Sequence, residues 1–123
     1  MNETLKILKE RRSIRSFRPE PVREEDLNAI LEAGIYAPSA KNLQSTKLVV
    51  VQDRETLALL ERVNAELFGD ADGHPFYGAP MAVVVLSDST YPCWLQDGAL
   101  VIGNLMNAAA ALGVGSCWIN RAI

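Results

Sequence analysis

The chain has 123 residues, 49% of them hydrophobic and 22% charged, and carries a formal net charge of −3. That length suits one domain around one core, residues 1–123, and the composition excludes a disordered chain. The acidic balance argues against a general nucleic-acid coat, whose affinity needs an excess of Lys and Arg.

In chain order, Asn2 is placed to cap a short helix in which Leu5, Ile7 and Leu8 form an apolar face, ending near Arg11. The β-prone "SIRSF" follows, and Pro19 and Pro21 hold an extended turn. "REEDLNAILEAG" reads as an amphipathic helix with Leu27, Ile30 and Leu31 on one face, acidic residues at its positive end, and Gly34 as its stop. "YAPSAKNLQST" is too polar for a core strand and reads as a loop. "KLVVVQD" is a buried strand. "RETLALLERVNAELFG" is a helix, with Leu57, Leu60, Val63 and Leu67 at helical spacing and Gly69 as its stop. "DADGHPFYG" is a loop and "APMAVVVLSD" a second buried strand. A long helix apolar on all sides runs from about Gln96 to Leu112, and "GVGSCWI" reads as the start of a third strand. The apolar stretch Gly98–Gly115 is short for a membrane span and contains Asn104 and Asn107, so a core or interface helix is expected and no membrane association. Helices alternating with apolar strands predict an α/β or α+β domain whose sheet is covered on both faces.

Four of the eight arginines lie within residues 11–18. In an extended stretch Arg11, Ser13 and Arg15 share a face, with Ile14 turned toward the core. Two guanidinium forks and a hydroxyl suit a phosphate or a carbonyl-rich ring, although solvated surface arginines would have the same sequence. In the loop, Ser39, Asn42 and Gln44 offer polar groups behind the fixed backbone of Pro38, as a plain connecting loop also would. Asn104 and Asn107 need partners inside an apolar helix, which a helix–helix or subunit contact supplies. Asn64 reads by default as an exposed polar residue.

Several chemistries lack their residues. His74 is the single histidine and has no Ser or Cys nucleophile motif beside it. Neither GxGxxG nor GxxxxGK[ST] occurs, and no metal-ligand spacing is present. Cys93 and Cys117 form no CxxC or disulfide framework, so reduced thiols in a cytoplasm are expected. The charged N-terminus is not a signal peptide. Any chemistry must therefore come largely from a cofactor.

The stretches "RRSIRSF", "APSAKNLQ", "FYGAPMAVVV" and "DGALVIGNLMNAAAALGVGSCWI", in that order, resemble the signposts of the nitroreductase family of FMN-dependent oxidoreductases. The resemblance covers nearly the whole chain. It implies an α+β, three-layer fold with a mostly antiparallel central sheet flanked by helices, and a long buried helix at the centre of a homodimer.

The same resemblance implies the site. Arg11 would contact the FMN phosphate, and Arg12 and Ser13 would line the ribityl and ring region. Arg15 would face the pyrimidine end, where a cation raises the flavin's reduction potential. Pro38, Ser39, Ala40 and Asn42 would reach the cofactor of the neighbouring subunit. Asn64 is the candidate for the pyrimidine edge, and Cys117, Trp118, Ile119 and Asn120 would cover one ring face near N5. The implied activity is ping-pong: NADH or NADPH reduces the flavin, and a nitroaromatic, a quinone or a similar small acceptor then takes the same place. Two departures are visible. Gln44 is followed by Ser45, Thr46 and Lys47 in place of Pro and an aromatic. The sequence also stops before the family's C-terminal helices, last strand and basic pair, as expected of a short form or of a fragment, and lacking them would weaken FMN binding. The competing expectation is a non-catalytic FMN-binding or dimerisation module, or a truncated form with weak flavin binding.

Overall fold

The structure, a computed structural model, describes residues 2–122; residues 1 and 123 at the ends of the predicted domain lie outside the described range. Four helices and two strands form among the described residues: α1 Glu3–Glu10, α2 Glu24–Ile35, β1 Thr46–Val51, α3 Arg54–Phe68, β2 Ala82–Ser87 and α4 Trp94–Ala111, with one 3₁₀ turn at Ala40–Asn42. This is an α+β arrangement with helices flanking an antiparallel sheet.

Local chemistry sets the helix ends. Asn2 Oδ1 accepts from the Leu5 amide at 2.9 Å, and the Asp53 carboxylate accepts from the Thr56 amide at 2.9 Å. Each satisfies a donor that the first helical turn leaves free. Gly69 ends α3 in the left-handed region at φ 88°, which a residue without a Cβ adopts without penalty.

Gly34 does not stop α2. It lies buried inside the helix, which continues to Ile35. A Cβ built at position 34 would sit 2.5 Å from Leu105 Cδ2 and 3.0 Å from its Cγ. The glycine therefore lets α2 and α4 approach closely. Asn104 joins the same two helices by donating its amide to the Ala33 carbonyl at 2.9 Å, the helix–helix partner its sequence context called for.

The strands pair antiparallel, with Thr46 opposite Ser87 and Val51 opposite Ala82. Leu48, Val83 and Val85 turn inward onto a core of Ile30, Val101, Leu105 and Ala109. The opposite face carries Lys47, Val49 and Leu86 and is open, with Val49 43% and Leu86 51% exposed. The expectation of strands buried on both faces is thus corrected: α2 and α4 cover one face only. The expected third strand does not form among the described residues. "SIRSF" and "GVGSCWI" lie beside each other but share one backbone bond, Ile14 N to Ser116 O at 3.0 Å. A strand needs a row of such bonds.

Helix α4 is also less enclosed than its composition suggests. Asp97, Gly98, Val101, Leu105 and Ala109 form one buried stripe against α2 and the sheet, while Leu95, Leu100 and Leu112 stay exposed. Trp94 opens the helix, and its carbonyl accepts from the Ser87 hydroxyl at 2.6 Å. No helix among the described residues is long and apolar enough to cross a membrane.

Candidate functional site: an arginine wall and a strained loop

Arg11 caps α1, its amide donating to the Ile7 carbonyl at 3.0 Å. Its half-buried guanidinium lies over α4, with Nη1 4.0 Å from Met106 Sδ. Arg12 turns back instead: its Nη1 donates to the carbonyls of Lys9 at 2.8 Å and Arg11 at 2.9 Å. A guanidinium there satisfies the negative end of α1, so Arg12 braces the corner from which the next residues extend. Ser13 and Arg15 are exposed, and Arg15 forms neither of the two described ion pairs, Arg23–Glu25 and His74–Glu61. Ile14 does not enter the core as expected. It is 39% exposed and leans on Gly115, where an added Cβ would lie 3.2 Å from three of its carbons.

Gly113, at φ 74°, turns the chain out of α4, and the Val114 amide returns to the Ala109 carbonyl at 2.8 Å. That turn delivers residues 115–120 alongside Ile14. Cys117 and Ile119 are half-buried, Trp118 is 43% exposed, and Asn120 is exposed at φ 52°. Arg121 stacks over the Phe68 ring at 3.7 Å and fastens this segment to the end of α3. The structure therefore sets the Arg11–Arg15 stretch beside the segment that leads into Cys117–Asn120, the two meeting where Ile14 touches Gly115 and Ser116.

The loop that includes Pro38, Ser39, Ala40 and Asn42 lies elsewhere. Its polar groups bond among themselves: the Asn42 amide donates to the Ser39 carbonyl at 3.0 Å, the Gln44 amide to Ser39 Oγ at 3.0 Å, and Gln44 Nε2 to Asn42 Oδ1 at 3.1 Å. Lys41, Asn42 and Gln44 all hold positive φ, between 51° and 54°, a region that costs a residue with a side chain. The Ala40 amide donates to Asp97 Oδ1 at 3.0 Å, tying the loop to the first turns of α4. Sequence reasoning did not single out Asp97. A carboxylate in the first turn of a helix ordinarily just favours the helix dipole, and only its 3% exposure marks it out.

Asn64, on α3, donates its amide to the Leu60 carbonyl at 2.8 Å and has no described bond to either segment. His74 Nδ1 lies 3.7 Å from Glu61 Oε1, while Glu61 Oε2 accepts from the Phe76 amide at 2.9 Å. That pair pins the loop before β2 onto α3. Among the described residues no group of His, Cys, Asp and Glu is placed to hold a metal.

An α+β frame that sets an arginine-rich segment beside the stretch leaving a long central helix defines a class, and the comparisons name it: residues 8–121 match the Nitroreductase family, to which the chain belongs. A protein of Archaeoglobus fulgidus, provisionally named NADH dehydrogenase/NAD(P)H nitroreductase, is 39% identical over 97% of this chain and 68% of its own length. A protein of the same provisional name from Methanothermobacter thermautotrophicus is 34% identical over 94% of this chain and 60% of its own length. A Bacteroides fragilis nitroreductase crystallised with bound FMN superposes with a TM-score of 0.90 at 33% identity, over 98% of this chain and 71% of that one.

Proposed function

We propose that the chain binds FMN and acts as an NAD(P)H-dependent oxidoreductase toward nitroaromatic, quinone or similar small acceptors. The observation that supports this reading is the Ile14–Ser116 bond, which sets the Arg11–Arg15 stretch beside the segment leading into Cys117–Asn120. The donor chemistry fits the cofactor: guanidiniums and a hydroxyl suit a phosphate and the carbonyl edge of a pyrimidine. The FMN bound by the similar Bacteroides fragilis and Desulfitobacterium hafniense nitroreductases supports the same choice.

When bound, FMN supplies the hydride chemistry between NAD(P)H and the acceptor. The chain's residues bind, orient and tune. Arg11 places a fixed charge for the phosphate, with Arg12 bracing its backbone and Ser13 adding a hydroxyl. Arg15 places a cation where negative charge develops. Trp118, half open beside the wall, offers a flat apolar surface with Cys117, Ile119 and Asn120 around it. Asn64 is the further candidate for the pyrimidine edge. NAD(P)H and the acceptor would use one open place in turn.

The Pro38–Asn42 loop joins this site through a second copy. In one chain the loop is tied to Asp97 and the wall leans on Met106, nine residues apart on α4 and so about 14 Å along its axis. Two copies packed through the open face of α4 would bring the loop of one to the wall of the other.

The test is optical. Purified chain mixed with FMN is expected to retain a yellow, protein-bound flavin that bleaches on anaerobic addition of NADH or NADPH. Chain that cannot be loaded with FMN would overturn the reading. Flavin that binds but is not reduced would favour the non-catalytic module. Arg11→Ala should weaken FMN binding roughly tenfold or more, the scale of one charge-assisted contact at about 1.5–3 kcal/mol. Arg15→Ala should mainly lower the flavin potential and slow its reduction.

A further inference from the structure

We infer that Asp97 is the positioning residue of the Pro38–Gln44 loop, holding through the Ala40 amide the conformation in which Ser39 and Asn42 are presented. The last step, from loop shape to cofactor affinity, rests on the proposed function; the hold on the loop does not. Asp97 is the one buried charged side chain among the described residues, 3% exposed. Burying a carboxylate is costly unless its charge is compensated and its oxygens are bonded. Here the compensation is partial: the positive end of α4 is close, Oδ1 accepts from Ala40, and Oδ2 has no partner among the described residues. An apolar residue would pack there without that cost, so packing alone does not account for the carboxylate.

The loop accounts for it. Lys41, Asn42 and Gln44 hold left-handed backbone without being glycine, and the loop's other described hydrogen bonds stay inside it, on Ser39, Ala40 and Asn42. A conformation costly at three residues persists only where something outside fixes it. The Ala40–Asp97 bond is the one described hydrogen bond from this loop to another element.

The experiment compares wild type, Asp97→Ala, Asp97→Asn and Ala40→Pro by amide hydrogen exchange without flavin, then by FMN titration. Ala40→Pro removes the donor from the other side of the bond. Ser39 is extended at φ −135° and ψ 155°, the backbone that a following proline requires. Asp97→Ala and Ala40→Pro should raise exchange at the Leu43 and Gln44 amides at least tenfold, with α2 and α4 still protected. Asp97→Asn, which keeps an acceptor, should stay within about threefold of wild type. Loop exchange unchanged in Ala40→Pro would overturn the inference even if Asp97→Ala failed to fold. In the titration, the two disrupting variants should bind FMN at least fivefold more weakly, and Asp97→Asn should rescue. Loosened amides with unchanged FMN affinity would overturn the link to the cofactor. Wild type that binds no FMN would overturn the proposed function and leave the exchange result standing.

Discussion

A single methyl group at position 34 tests how α2 meets α4. Leu105 is packed among Ile30, Val101 and Ala109, so it has little room to yield to a Cβ that would stand 2.5 Å from its Cδ2. Overpacking costs about 1–3 kcal/mol, offset in part by about 1 kcal/mol of better helix propensity. Gly34→Ala should therefore lower the melting temperature, read by thermal denaturation. The sequence made Gly34 a stop because glycine after a periodic run usually is one. The same letter also serves close packing, and only Leu105, distant in sequence, distinguishes the two. At the opposite extreme, the cap formed by Asp53 involves only its neighbours in sequence. The Thr56 hydroxyl and amide hold its carboxyl below the ordinary 3.8, and those of Thr90 do the same for Asp88, with a smaller contribution from Lys47. A depressed folded pKa gives stability that is present above the unfolded value and lost as pH falls through the folded one. Stability should thus decline below about pH 3.8. Asp53→Asn, which keeps a capping oxygen, should flatten part of that slope in acid titrations of the melting temperature.

Among the elements, α3 shows what local signals accomplish: Asp53 starts it, Gly69 ends it, and the observed span is Arg54–Phe68. Strands β1 and β2 were equally readable from their β-branched runs. "GVGSCWI" was not, because β-propensity reports fit to a pleated surface and cannot supply a neighbouring ladder. The two extended stretches touch where Ile14 meets Gly115, and that contact can be tested. Gly115→Val would press at least a methyl group into a space where Cβ alone already lies 3.2 Å from Ile14 carbons. The expected result is FMN binding weakened roughly fivefold, about 1 kcal/mol, with far-UV circular dichroism unchanged. The pairing of the arginine stretch with residues 117–120 was legible only through family resemblance. Nothing in the spacing of residues 11–15 points to a segment a hundred positions later.

At the scale of the whole molecule, the apolar surface exceeds what one chain buries. Leu5 and Leu8 on α1 are 50% and 55% exposed, and Leu95, Leu100 and Leu112 line uncovered parts of α4 and its end. Surface of this kind is what the proposed dimer would bury, since the composition of α4 led to an expectation of burial that the single chain only half provides. Sedimentation should show a dimer. Leu100→Arg, which sets a charge in the face proposed to be shared, should shift it toward monomer and weaken FMN binding with it. Loss of the dimer with FMN affinity intact would remove the partner's loop from the site.

The length of α4 also gives the molecule two built-in lamps. Trp94 stands where the helix begins, one turn from the Asp97 that holds the Ala40 loop, and Trp118 stands past its other end, beside the arginine wall. These are the chain's only tryptophans, so each reports on one half of the proposed site. With Trp94 replaced by phenylalanine, the remaining emission reports on the wall; with Trp118 replaced, on the loop. If the proposed dimer forms, mixing the two kinds of chain would reveal from which copy each quenched signal comes.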